Sequence, residues 1–288
     1  MKETIYIDGK FTSSERAKIS LFDRGLNYGD GLFETLAAYD GRVFCFDAHL
    51  NRMRKGAREL SIRSKLLTDI STDGGPVKEL LKRNGLNTGT ASIKIVVTRG
   101  TGGEGHLPGC LRRNPPTIII TAKATNERAI KRYQASGVSA VLVDAPLRMI
   151  AHIKSLNFLP SVLAKMEAKK KRAYEAILTN KGKILEASAS NIFIVEGNTI
   201  KTPPDDGKIL PGITRSEILR LAKLDGLKVK EASITKTALL SATEAFLTNS
   251  IIEIVPLIKV DSSLLATGKA GPITRRLQKL YMEETIRK

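Results

Sequence analysis

At 288 residues the chain is long enough for one large domain or two smaller ones, and its 42% hydrophobic and 26% charged residues exclude a disordered protein. Two cysteines, Cys45 and Cys110, cannot make a disulfide framework; with neither a basic-then-apolar leader nor an apolar run near roughly 18 residues, the expected setting is the cytoplasm, without membrane association. Lys and Arg total 47 against 29 Asp and Glu, a net +18, yet the basic residues are spread along helices, aromatics are 5% and Trp is absent, so the field suits an anionic small ligand and no nucleic-acid surface is expected.

In chain order, Thr4–Ile7 alternates as a strand, and residues 43–46 form a second short one after the Asp40-Gly41 turn. From Asp47, placed to cap a helix, Leu50, Met53, Ala57 and Leu60 recur at helical spacing. Residues 76–84 make another helix, stopped by Gly85, and 92–98 and 117–121 are β-rich runs separated by a Gly/Pro loop. Residues 122–132 are polar and aperiodic, which places a boundary there: a small α/β domain over 1–121, an interdomain loop over 122–132 and a larger domain over 133–288. The second part reads as strand 138–143, helix 159–173, strand 175–179, strands 191–195 and 198–201 about a Gly197-Asn198 turn, and helix 214–224. It continues with strand 228–231, helix 236–240, strands 245–248 and 253–260, and a final helix 272–286. This mixture is α+β or mixed α/β, without the regular alternation of a doubly wound sheet.

Two segments carry complementary chemistry. Lys154 lies in Ile153-Lys154-Ser155-Leu156-Asn157, and Glu186 opens Glu186-Ala187-Ser188-Ala189-Ser190-Asn191. Pyridoxal phosphate needs both an amine to hold its aldehyde and an acid to keep its ring nitrogen protonated. A phosphate cradle must come from elsewhere. Residues 208–217 lead into a helix through Thr214-x-x-Glu217, which serves either as a capping box alone or, with Gly212, as a turn that aims the amides of Ile213 and Thr214 at a dianion. Thr248-Asn249-Ser250, at the end of an apolar strand, is a second group of small donors. Arg52 borders the apolar face of its helix and is either solvated or a phosphate fork, with Arg54 as its neighbouring competitor.

Other patterns fail on context. Gly100-Thr101-Gly102-Gly103-Glu104-Gly105 satisfies G-x-G-x-x-G but runs into His106-Leu107-Pro108-Gly109 and no helix, so it reads as a flexible loop over a pocket and not as a dinucleotide site. His49, His106 and His152 have no metal-ligand spacing, so no metal is expected, and Ser188 lacks the flanking glycines of a nucleophile elbow.

Taken together, Tyr28-Gly29-Asp30-Gly31-Leu32-Phe33-Glu34, His49-Leu50-Asn51-Arg52-Met53, the Lys154 and Glu186 segments, Leu210-Pro211-Gly212-Ile213-Thr214-Arg215 and Gly271-Pro272-Ile273-Thr274-Arg275 resemble the class IV, fold type IV, pyridoxal-phosphate aminotransferases along almost the whole chain. The resemblance implies a two-domain fold like that of D-amino-acid aminotransferase, with Lys154 as Schiff-base lysine and proton shuttle and Glu186 as partner of the pyridine nitrogen. It implies further that Arg52, Ile213, Thr214, Asn249 and Ser250 hold the phosphate, and that Tyr28, Phe33, Lys94 and the loop from Gly102 to His106 line the substrate side. Members of the family are homodimers whose sites take residues from the partner's small domain.

Within the family, the Lys154-Ser155-Leu156-Asn157 spacing, Val162-Leu163-Ala164-Lys165-Met166-Glu167-Ala168 and Tyr174-Glu175-Ala176-Ile177-Leu178 resemble D-amino-acid transaminases. The expected reaction therefore moves an amino group between a donor of D-alanine or D-glutamate type and a 2-oxo acid. Three departures keep a branched-chain L-amino-acid aminotransferase and a 4-amino-4-deoxychorismate lyase as alternatives. Phe33 stands where a tyrosine is usual, Glu104-Gly105-His106 replaces Arg-x-His in the carboxylate trap, and Lys94 is the cation that could replace the missing arginine.

Overall fold

A computed structural model describes residues 3–63, 70, 75–109 and 115–287. Its internal contacts divide the chain into two units, Met1–Thr125 with Ile153–Asn157, and Asn126–His152 with Phe158–Arg287. Cys110 lies outside the described residues.

The first unit is built on an antiparallel six-stranded sheet in the order Lys10–Ser13, Thr4–Ile7, Ile118–Ala124, Thr90–Thr98, Gly31–Tyr39, Arg42–Val43. Gly31–Tyr39 has no counterpart in the sequence-based elements. It is buried along both faces, so the polar-apolar alternation that marks a half-buried strand is missing. Helices Phe46–Glu59 and Gly75–Arg83 pack Leu50, Met53, Leu80 and Leu81 against Leu32, Leu36, Ile93, Ile95 and Ile120 of the sheet. Two local expectations are corrected here. The strand foreseen over 43–46 ends at Val43, because the helix already begins at Phe46. Asp47 does not cap that helix: the cap position is Cys45, in the left-handed region at φ 50° and without a side-chain cap bond, and Asp47 lies in the first turn, where its charge only complements the helix dipole.

The second unit holds a mixed ten-stranded sheet, running Lys228–Glu231, Thr199–Thr202, Asn191–Glu196, Glu244–Asn249, Glu253–Val260, Val138–Asp144, Glu175–Asn180, Lys183–Ala187, Ile234–Thr235, with Ser263–Leu264 added beside Glu253–Val260. Glu253–Val260, Val138–Asp144 and Glu175–Asn180 run parallel, as do Thr199–Thr202 and Lys228–Glu231. Parallel and antiparallel pairs in one sheet agree with the mixed class expected. Residues 122–132, foreseen as a loop, carry the end of strand Ile118–Ala124 and the start of helix Glu127–Ser136, capped by Asn126 accepting from Ala129 N at 3.0 Å. None of that helix's residues is fully buried, which removes the apolar stripe that would have announced it.

The last helix, Pro272–Arg287, is tied at its start by a buried carboxylate from another strand. Glu244 accepts from Ile273 N at 2.9 Å and from Thr274 N and Oγ1 at 2.7 and 2.6 Å. A Cβ on Gly271 would lie 2.1 Å from Glu244 Cδ, so only glycine lets the carboxylate reach these amides. Among the described residues no helix is long and apolar enough to cross a membrane.

Candidate active site

In the first unit the Lys154 segment lies against strand Gly31–Tyr39. Phe33 N donates to Lys154 O and Leu156 N to Gly31 O, both at 2.9 Å, with Leu32 and Ser155 forming an antiparallel bridge. Gly31 is required by this approach, since its Cβ would sit 2.5 Å from Val97 O and 2.8 Å from Leu156 Cδ1. The bridge fixes where the amine goes: Lys154 Nζ lies 4.6 Å from the centre of the Phe33 ring. Lys94 Nζ lies 5.0 Å from the same ring. Lys94 stands opposite Thr35, two residues from Phe33, and so shares its face of the sheet.

Glu34, the next residue, points to the other face, where the Phe46–Glu59 helix presents His49 and Arg52 one turn apart. Arg52 Nε donates to Glu34 Oε1 at 2.7 Å and Nη2 to Oε2 at 2.6 Å, a bidentate pair, and His49 Nδ1 meets Oε2 at 2.7 Å. With its side chain 12% exposed, Arg52 is not the solvated arginine that was one of its two sequence readings. Burial alone would push the Glu34 carboxyl up, but the Arg52 guanidinium and the His49 bond outweigh it and hold it down to about 2. Burial lowers the His49 pKa, outweighing the opposite pull of Glu34. A neutral His49 facing a carboxylate carries its proton on Nδ1 and donates. Arg54, the competitor, donates instead to the backbone carbonyl of Ile70 at 3.1 Å.

Tyr28 and His106 meet edge to face, with ring centres 5.6 Å apart. The glycine-rich segment before His106, read from sequence as a loop, forms a small hairpin in which Gly103–Glu104 pairs with Leu107–Pro108 and Arg24 donates to the carbonyls of Gly105 and His106.

In the second unit Glu186 is 5% exposed. One carboxylate oxygen is ion-paired to Arg148, and the other accepts from Leu210 N at 3.1 Å. Arg148 was not foreseen, because nothing local distinguishes it from other basic residues. From Leu210 the chain runs through Pro211 and Gly212 into helix Ile213–Leu224, so three residues, about 10 Å of chain at most, connect the carboxylate to a helix start. The capping box expected from Thr214 and Glu217 does not form. Gly212 is the cap position, Thr214 is the second helical residue, and Glu217 binds Arg220. The first bond of the helix is Ser216 N to Gly212 O, so the amides of Ile213, Thr214 and Arg215 precede any intrahelical acceptor.

Asn191 Nδ2 donates to Leu210 O at 2.9 Å, and its Oδ1 lies 2.0 Å from where a Gly212 Cβ would be, so the turn admits glycine alone. Thr248 stands opposite Asn191 in the sheet and therefore shares its face, and its buried hydroxyl has no hydrogen-bond partner. Uncapped amides, a buried hydroxyl donor and a cradle without room for a Cβ fit a phosphate group. Asn249 Nδ2 donates to Ala189 O and Ser190 Oγ, both at 3.0 Å, and its Oδ1 accepts from Ile251 N and Ile252 N, so the side-chain amide ties the turn that carries Ser250.

The first unit thus offers an amine beside an aromatic ring, and the second a buried carboxylate and a turn suited to an anion. Comparison with known proteins agrees. The model of the family "Amino-transferase class IV" matches residues 31–260. A Methanocaldococcus jannaschii protein provisionally named a branched-chain-amino-acid aminotransferase is 38% identical over 284 residues, 97% of this chain and 95% of the relative. The D-alanine aminotransferase of Bacillus licheniformis is 32% identical over 278 residues, 95% and 94% of the two chains. Among solved structures, the branched-chain amino acid aminotransferase of Thermoproteus uzoniensis with norvaline superposes with a TM-score of 0.86 at 29% identity, covering 99% of this chain and 95% of that one. From its motifs, its fold and these relatives, the chain belongs to the class IV aminotransferases.

Proposed function

We propose that this aminotransferase moves an amino group between a D-amino acid of D-alanine or D-glutamate type and a 2-oxo acid, with Lys154 as its catalytic base. As a class IV enzyme it uses pyridoxal 5'-phosphate, which when bound supplies an electron sink for the pair left at the substrate α-carbon. The chain's own residues do the rest. Lys154 would hold the cofactor's aldehyde through Nζ and, once released, would serve as the base that takes the substrate α-proton on Nζ and gives it back. Glu186, paired with Arg148, would hold the proton on the ring nitrogen. Ile213 and Thr214 would donate their amides to the phosphate, with Arg52, Asn249 and Ser250 alongside. The observation that carries this reading is the backbone bridge that sets Lys154 Nζ against Phe33 while Lys94 adds a cation on the same ring, where a substrate carboxylate needs one.

The D-amino-acid choice is supported by the Lys154-Ser155-Leu156-Asn157 spacing and by D-alanine aminotransferases among the relatives. A branched-chain L-amino acid is the second reading, favoured by Phe33 and by the Methanocaldococcus jannaschii relative. A homodimer belongs to the proposal too, supported by the exposed apolar side chains Leu21, Phe22 and Leu26 on one short stretch of the first unit.

The deciding experiment mixes the holoenzyme separately with D-alanine, L-leucine and aminodeoxychorismate and follows its visible absorbance. Bleaching by D-alanine is expected; bleaching by L-leucine alone overturns the donor assignment in favour of the second reading. Lys154→Ala is expected to remove both turnover and that absorbance, and retained turnover would sink the assignment of Lys154.

A further inference from the structure

Arg24 is 5% exposed and stands at the start of the five-residue helix Arg24–Tyr28. Its place is fixed from several sides. Asp23 caps the helix by accepting from Gly25 N at 2.8 Å and also accepts from Thr98 Oγ1 and Thr117 Oγ1, both at 2.8 Å. Arg24 N donates to Gly100 O at 2.8 Å, and Arg24 Nε donates to Asp30 Oδ2 at 2.9 Å. The same Asp30 oxygen takes Arg99 Nε at 2.7 Å, while Arg99 Nη2 donates to Leu60 O at 2.7 Å.

What remains of the Arg24 guanidinium is spent on one hairpin. Nη1 donates to Gly105 O at 3.0 Å and, at 3.5 Å, to Leu107 O; Nη2 donates to His106 O at 2.9 Å. Three successive carbonyls of the turn converge on one planar cation, whose carbon also lies 4.7 Å from the centre of the Tyr28 ring. The hairpin has little of its own to hold it. Its ladder is two residue pairs, Gly103 with Pro108 and Glu104 with Leu107, too short for independent stability. Gly103 sits at φ 108°, where a Cβ would be 2.2 Å from Leu107 O and 3.1 Å from Arg24 Nη1.

We propose that Arg24, oriented by Asp30, is a positioning residue that fixes the 103–108 hairpin and thereby sets the His106 ring against Tyr28, controlling how tightly the enzyme takes its amino donor without touching it. This rests on the reading that Tyr28 and His106 line the substrate side. Losing the guanidinium frees the three carbonyls to rotate toward water and His106 with them, while Lys154, Arg52 and the phosphate cradle keep their own supports.

The test uses holoenzyme variants Arg24→Gln and Arg24→Lys, with His106→Ala alongside. Amide exchange in a peptide covering residues 103–109 is expected to speed up about tenfold or more in Arg24→Gln, while a peptide over Gly31–Tyr39 stays as in wild type. KM for the amino donor is expected to rise about tenfold with kcat within about threefold and with unchanged visible absorbance; Arg24→Lys, which keeps the charge but not the fork, lies between. Unchanged exchange over 103–109 in both Arg24 variants overturns the proposal, as does a rise in KM for His106→Ala without one for Arg24→Gln. An unchanged KM in His106→Ala overturns instead the substrate-side reading on which it rests. Should Arg24→Gln not fold, Arg24→Lys carries the same comparison.

Discussion

Replacing Glu34 by Gln keeps volume and removes charge at a buried carboxylate of the first unit. Glu34 is fully buried, and its two oxygens receive three donors, Arg52 Nε, Arg52 Nη2 and His49 Nδ1. A glutamine has one acceptor oxygen. Facing the Oε2 position it accepts from Nη2 and His49 but turns its NH2 against Arg52 Nε; facing Oε1 it satisfies Nε and opposes Nη2. Either way one guanidinium N–H loses its partner inside the protein. Breaking a buried ion pair costs about 3–5 kcal/mol, and the surviving hydrogen bond puts this case near about 3 kcal/mol. For a chain this size that is a fall in Tm of roughly 6–12 °C, at about 2–4 °C per kcal/mol.

The pH dependence gives an independent figure. The Glu34 carboxyl sits at about 2 against an ordinary 4.5, a depressed value, so the stability it contributes is present above about 4.5 and is lost as pH falls toward 2. That difference converts to about 3 kcal/mol, in line with the first figure. Urea unfolding of wild type and variant between pH 7 and pH 3 checks both. The gap between them should be near 3 kcal/mol at pH 7 and should narrow as pH falls below about 4.5. A variant within about 0.5 kcal/mol of wild type at pH 7, or a gap that does not change with pH, would refute the account of Glu34 as the anchor of Arg52.

Three further outcomes follow from the geometry. Gly212→Ala places a Cβ 2.0 Å from Asn191 Oδ1, which breaks the Asn191 to Leu210 bond; a loss of about 1–3 kcal/mol in urea unfolding and weaker pyridoxal phosphate binding by absorbance titration are expected. Glu244→Gln removes the charge that accepts from Ile273 N, Thr274 N and Thr274 Oγ1, so about 1–2 kcal/mol should be lost, with faster amide exchange concentrated in Pro272–Arg287. Lys94→Ala should raise KM for dicarboxylic substrates more than it lowers kcat, and an unchanged KM shows that another group binds the carboxylate.

Much of the fold was legible where its cause is local. The stripe Leu50, Met53, Ala57 announces the helix that carries Arg52, and the β-rich run Glu253–Val260 appears as a strand with the bounds expected. The central strand Gly31–Tyr39 and the helix Glu127–Ser136 were not legible, for opposite reasons. One is buried on both faces and the other has no fully buried residue, and a pattern appears only when burial differs between faces. The helix starts at Cys45 and Gly212 were misjudged because good capping residues lie nearby in sequence while the backbone turns elsewhere.

The sequence by itself determined which residues are the candidates for the proposed chemistry: an amine at Lys154, an acid at Glu186, a glycine turn before Ile213 and Thr214. These are properties of side chains and of short-range backbone, and neighbours a few residues away suffice to specify them. Only the tertiary structure decided how the buried charges are paired. Arg148 reaches Glu186 from 38 residues away, Arg52 is claimed by Glu34 from 18, and Arg24 holds carbonyls 81 to 83 residues beyond it. In a chain with 47 Lys and Arg, no local rule selects these three. Burial does, by making an unpaired charge too costly to leave without the partner that the fold brings to it.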